Sequence, residues 1–132
     1  MTWLRLGVLV LAAHAALFAQ DKTDKADPKY EEPPEEDVSA PPKEYAFNPL
    51  QATKEVKIGN FYFKKGSYKA AAHRFDEALK WNPGLGEAAL RLAEAHEKLK
   101  DKKGAQEAYR KYLEIEPDGK EAPAIKKKLG MQ

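Results

Sequence analysis

Two stretches of this chain superimpose without a gap at an offset of 34 residues. "KIGNFYFKKGSYKAAAHRFDEALKWNPG" (57–84) aligns with "RLAEAHEKLKDKKGAQEAYRKYLEIEPD" (91–118). Ile58 falls on Leu92, Gly59 on Ala93, Tyr62 on His96, Ala71 on Ala105, Phe75 on Tyr109, Ala78 on Tyr112 and Pro83 on Pro117. Small residues meet small and large meet large at most of these places. A fixed interval of this length marks a supersecondary unit that cannot bury its apolar face alone and must stack on a neighbour.

Each unit reads as two helices. Apolar residues recur at helical spacing, and glycine or proline punctuates the pattern. Gly59 sits inside the first helix, where glycine costs about 1 kcal/mol relative to alanine. A close approach to the second helix, near Ala71, can offset that cost. Gly66 in "KKGS" is suited to end the first helix in the left-handed conformation, and Ser67 to cap the second. Pro83 cannot extend a helix and disfavours helical geometry at Asn82, so it separates the units. The expected architecture is all-α, with five helices at about 50–64, 68–81, 86–99, 102–115 and 120–129. Asn48 and Asp101 are the expected N-caps of the first and fourth, with Pro49 in the first turn. The fifth tolerates Pro123 only in its first turn. There Ala124, Ile125 and Leu129 are placed to cover the apolar end of the stack.

The pattern resembles the tetratricopeptide repeat, a 34-residue helix–turn–helix unit. Gly59, Ala71, Phe75, Ala78 and Pro83 fill its small, alanine, aromatic, alanine and proline positions in the first unit. Ala93, Ala105, Tyr109 and Pro117 fill them in the second. Tyr112 replaces the second alanine, His96 replaces the tyrosine of the first helix, and the family's early large aromatic is missing from both units. The resemblance implies antiparallel hairpins stacked as a short solenoid of two repeats, at about 52–85 and 86–119, with a capping helix at about 120–129. It also implies a module that binds a protein or peptide. The groove lined by the first helix of each unit would then present Val56, Asn60, Phe63, Leu90, Glu94 and Glu97, flanked by Lys64, Arg91 and Lys98. Some family members grip a terminal carboxylate with Lys and Asn on successive first helices. Asn60 and Arg91 match part of that clamp, but Val56 stands where its first lysine belongs, so no clamp is expected.

The flanks differ in kind from the repeats. Residues 1–19 read as a signal peptide: a thin basic start with Arg5, then "LGVLVLAAHAALFA". That run is short of the roughly 20 apolar residues a membrane crossing needs. Cleavage after Ala19 would make the protein periplasmic or secreted if the source is bacterial. An uncleaved segment would instead anchor it to the membrane. Residues 20–47 read as a disordered, acidic, proline-rich linker, and 48–130 as the repeat domain. Residues 21–50 hold nine acids against four lysines, whereas 51–132 hold eighteen bases against twelve acids. The small overall charge of +2 is therefore a near-cancellation of two unlike parts. One reading of the linker is a plain spacer; another is a proline-rich ligand or an acidic strap across the basic domain. Its last part carries Tyr45, Phe47 and Leu50. These are expected to fold back over the side of the first helix bearing Phe61, Tyr62 and Phe63, which has no preceding unit to cover it.

No catalytic constellation is present, and neither an enzyme nor a cofactor is expected. The absence of cysteine removes disulfides and thiol chemistry. His73 is expected in solvent and His96 in a packing position. Glu94 and Glu97 stand at the wrong helical spacing from His96 to form a zinc site. Gly84 and Gly86 in "NPGLGEAA" faintly resemble an anion site before a helix, though an inter-repeat turn explains them as well. The basic runs "KLKDKK" and "KKK" lack stacking aromatics and are interspersed with acids, so nucleic acid is not expected. Two functional classes remain. One is an exported scaffold or adaptor that binds a protein or peptide. The other is an assembly subunit whose open repeat end docks on a larger complex or on another copy of itself.

Overall fold

A computed structural model describes residues 43–132. The signal-like segment 1–19 and most of the acidic segment 20–47 lie outside the described residues. Five helices follow in order: α1 (Pro49–Lys64), α2 (Tyr68–Trp81), α3 (Gly86–Lys98), α4 (Lys102–Ile115) and α5 (Ala122–Lys128). No strand occurs among the described residues. α1 packs on α2 and α3 on α4 as hairpins, α2 packs on α3, and α5 rests on α4.

The helix starts follow local chemistry. The Asn48 side chain accepts the Gln51 amide at 3.0 Å, with Pro49 in the first turn of α1. Asp101 accepts the Gly104 amide at 2.9 Å. Ser67 holds the N-cap position of α2 but makes no side-chain capping bond, contrary to expectation. Its backbone (φ −84°, ψ 65°) nearly matches that of Asp101 (φ −86°, ψ 85°). α5 starts two residues later than expected, because residues 116–121 form successive turns and Pro123 falls in the first helical turn.

The first helices end alike. Gly66 N–H donates to the Phe63 carbonyl and Ser67 N–H to that of Tyr62. Lys100 and Asp101 do the same to Glu97 and His96, and Gly130 and Met131 to Lys127 and Lys126. This double bond pattern needs a left-handed residue, and φ is +78° at Gly66, +60° at Lys100 and +67° at Gly130. α5 thus closes as the first helix of a hairpin closes. Lys100 bears the strain that glycine relieves at the equivalent place one unit earlier. Lys100→Gly is expected to raise stability by about 0.5–1 kcal/mol, the relief of strain exceeding the entropy gained by the unfolded chain. Urea denaturation reads this directly, and a loss of stability would contradict it.

The core forms two clusters. The first holds Val56, Ala71, Ala72, Phe75, Ala78, Ala88 and Ala95. The second holds Ala89, Ala93, Ala105, Ala108, Tyr109, Tyr112, Ala122 and Ile125. Leu79 and Leu92 pack against both and join them. Alanine dominates because helices pressed this close leave room for little else. Gly59 faces α2 against the Phe75 ring, one helical turn from Ala71: a Cβ there would stand 2.5 Å from the ring. Tyr112 departs from the repeat pattern because α5 is only 7 residues long. The larger side chain, 3 % exposed, fills its cluster beside Ala122 and Ile125. Ala124 is exposed rather than buried; Ala122 takes the covering position, with Ile125 as expected.

The segment before α1 does dock, but elsewhere than expected. The Tyr45 ring meets Trp81 edge-on at 4.8 Å, and its hydroxyl donates to Glu77 at 2.6 Å. The Asn48 amide donates to the Trp81 carbonyl at 2.9 Å. The anchor is therefore the C-terminal end of α2, not the Phe61–Phe63 side of α1. The reason is antiparallel geometry: the start of α1 lies beside the end of α2. Phe47 and Leu50 stay 73 % and 81 % exposed.

Burial pushes the Glu77 carboxyl up, but hydrogen bonds from Tyr45 and Lys80 outweigh it and hold it below the usual range. A depressed carboxyl stabilises its contacts above its unfolded pKa of about 4.3, and that stabilisation is lost as pH falls through the lower folded value. The Trp81 indole resonance is therefore expected to keep its docked position at about pH 5 and lose it only in stronger acid. Amides of α4 serve as the internal control. Tyr45→Phe should move the change to higher pH; an unmoved midpoint would disconnect Tyr45 from Glu77.

Candidate functional site

α1 and α3 lie in neighbouring hairpins, and one side chain joins them. Arg91 on α3 donates from Nε to the Asn60 carbonyl oxygen on α1 at 2.9 Å. Its Nη1 bonds Glu94 one turn along α3. The guanidinium sits over the Phe63 ring, 4.6 Å from the centroid, and 5.8 Å from that of Phe75. Phe63 in turn meets Tyr68 edge-on at 5.1 Å. Asn60, Phe63, Arg91 and Glu94 thus form one connected, half-buried cluster. The planar guanidinium is stacked and bonded on two sides, so its orientation is set before any partner arrives. Donors of its fork remain for an incoming carboxylate or carbonyl.

The other expected groove residues fall elsewhere. Val56 is 4 % exposed and belongs to the first core cluster, so it offers no surface to a partner. It lies one position from buried Glu55, in a cluster that draws on both α2 and α3. Leu90 is half-buried and packs against the second core cluster. Lys64 and Lys98 are exposed.

Glu97 belongs to a separate group. Lys128 of α5 donates to Glu97 at 2.8 Å and to the Tyr109 hydroxyl at 3.1 Å. Burial raises the Glu97 carboxyl, but the hydrogen bonds from Lys128 and Tyr109 prevail and lower it. The hydrogen bond to Glu97 pushes Lys128 up to about 12. A cavity of about 420 Å³ opens beside them, lined by Lys100, Lys102, Gln106 and Leu129 among others. One unit earlier, Phe63 stands where Glu97 does and Tyr68 where Lys102 does. The second unit has two charged residues at the places that an aromatic pair fills in the first.

Sequence reasoning missed Lys128 and the Glu55–Arg74 pair, 3.3 Å apart across α1 and α2. For Glu55 a signal existed: an acid between Ala52, Val56 and Gly59 lies on the buried side of α1. No comparable signal singles out Lys128 within "KKK". His96 is half-buried with Nδ1 3.0 Å from Asp101 Oδ2, and His73 is exposed. At the start of α3, the Glu116 carboxylate crowds Gly86. Among the described residues no group of three His, Asp or Glu could hold a metal ion, and no helix is long and apolar enough to cross a membrane.

A family model described as Tetratricopeptide repeat matches residues 62–129, just over half the chain. The match runs from the last turn of α1 through α5. A comparison with curated proteins finds no match.

Proposed function

The chain belongs to the tetratricopeptide-repeat family, and on that premise we propose that it is an exported adaptor holding a protein or peptide partner on the α1–α3 face. Repeats of this family are in general protein-interaction modules. The observation that carries the reading here is Arg91, oriented by Asn60, Glu94 and the Phe63 ring. It is a pre-set cation with spare donors on a half-exposed aromatic floor, and such arginine–aromatic pairs anchor interfaces. Lys64 and Lys98 flank it. Export rests on the character of residues 1–19. The alternative of an assembly subunit is favoured by one observation, the exposed Phe47 and Leu50 at the open end of the stack.

A photo-crosslinking residue at Lys64 or Lys98 is expected to trap a partner in source cells, while one at Arg110 on α4 traps little. Arg91→Ala should reduce the yield at the first two positions at least tenfold, as for the loss of a contact worth about 1.4 kcal/mol. Equal trapping from both faces, unaffected by Arg91→Ala, would overturn the proposed face.

A further inference from the structure

The exposed charges of α1 are all of one sign. Its only acid, Glu55, is 5 % exposed and paired with Arg74. Its cations Lys54, Lys57 and Lys64, with Lys65 just beyond its end, are all exposed. At 100° per residue these four lysines, with Leu50 and Phe61, fall within about 100° of one another on the helix circumference. That sector lies opposite buried Ala52, Glu55 and Gly59. Lys65 stands over the Phe61 ring at 4.7 Å. No carboxylate among the described residues makes an ion pair with any of the four. Elsewhere Lys80, Lys103 and Lys128 each have a carboxylate partner.

A complementary segment lies close in the chain. Residues 32–37, "EPPEED", hold four acids and no base. The described residues begin shortly after it, at Lys43, and Tyr45 is held beside Glu77 and Trp81, where α1 starts. The eight steps from residue 37 to Tyr45 span up to about 26 Å when extended. α1 is about 24 Å long. The Tyr45 anchor therefore tethers four acids within reach of four cations that have no carboxylate partner among the described residues. A short tether gives an effective concentration on the order of millimolar.

We infer that residues 32–37 dock on the lysine sector of α1 as an intramolecular acidic strap. The contact is a set of exposed ion pairs, each weak alone and screened by salt. It is thus suited to be displaced by a more acidic or better-packed partner. Lys64 also flanks the α1–α3 face, so the strap would compete with a partner bound there. That consequence rests on the proposed partner face; the strap itself does not.

The chain has no cysteine, so Ser39→Cys carries a single nitroxide label. In the full chain, amide signals of residues 53–65 are expected to weaken at least twofold at low salt. They should recover when the ionic strength is raised to about 0.5 M, where screening is nearly complete. The variant with Gln at Lys54, Lys57, Lys64 and Lys65 should abolish the weakening, as should the variant with Glu32, Glu35 and Glu36 changed to Gln and Asp37 to Asn. The four lysines are exposed, and circular dichroism verifies that the fold is kept in both variants. Weakening centred instead on Lys100 and Lys102, or indifferent to salt and to both variants, would overturn the inference. So would weakening seen only when labelled chain is mixed with separate isotope-bearing chain, which would make the occupant a second copy.

Discussion

Replacing Phe75 with alanine is expected to lower the unfolding free energy by about 3–5 kcal/mol. Phe75 is the one large side chain that is fully buried among the described residues. Its ring fills the space that Gly59 leaves open, between α1 and α2. The other buried members of its cluster are Val56 and alanines. Alanines carry no side-chain reach with which to collapse into a cavity, so the cost should fall toward the upper part of that range. Natural domains hold only about 5–15 kcal/mol in all, so the variant would unfold in mild denaturant or shed its first hairpin. Urea denaturation followed by circular dichroism measures the loss. Tyr109→Phe supplies the contrast at the equivalent place, because it keeps the ring and removes only the hydroxyl that Lys128 bonds. A Phe75→Ala loss below about 1 kcal/mol would mean that the first core does not depend on the ring.

Gly59→Ala sets two effects against each other. Alanine is the better helix former by about 1 kcal/mol. The added methyl, however, would stand 2.5 Å from one ring carbon of Phe75 and 2.8 Å from the next. Neither α1 nor the ring can move freely, since Phe75 is 0 % exposed. Overpacking of this kind costs about 1–3 kcal/mol beyond the propensity gain. The net expectation is destabilisation, with the sign deciding between the two effects. Gly59→Ala combined with Phe75→Leu should then be less harmful than the sum of the two single changes, because the smaller side chain makes room for the methyl. Additive losses would show that the clash is relieved some other way.

The 34-residue interval made most of the fold legible. Helix periodicity, small residues at close approaches, and glycine or proline at ends are local properties. They act over a few residues, so they can be read along the chain. Hence α2 and α4 match their expected ranges, and Asn48, Asp101 and Gly66 take their expected local roles. The failures are instructive for the same reason. Ser67 makes no side-chain capping bond, and Lys100 adopts a conformation that its residue type disfavours. Three-residue hydrogen-bonding patterns at the end of α3 outweigh the preference of a single side chain there.

The candidate site was legible only as a roster of first-helix positions. Which of them meet depends on how far each hairpin rotates on the one before, and no local pattern states that rotation. Arg91 reaches Asn60 across 31 residues, Lys128 reaches Glu97 across 31, and Tyr45 reaches Glu77 across 32. The first two pairs are brought together by stacking, the third by the antiparallel packing of α1 on α2. Val56, one helical turn from Asn60, was turned by the same packing into the core. Within "KKK", three identical side chains point three ways, and the seat of Ile125 and Ala122 against the second cluster decides that Lys128 faces Glu97. Residue type and spacing along the chain thus settle the helices and their close approaches. The charged contacts are settled by the relative placement of helices about thirty residues apart, because an ion pair needs two groups within a few ångströms whatever their order in sequence.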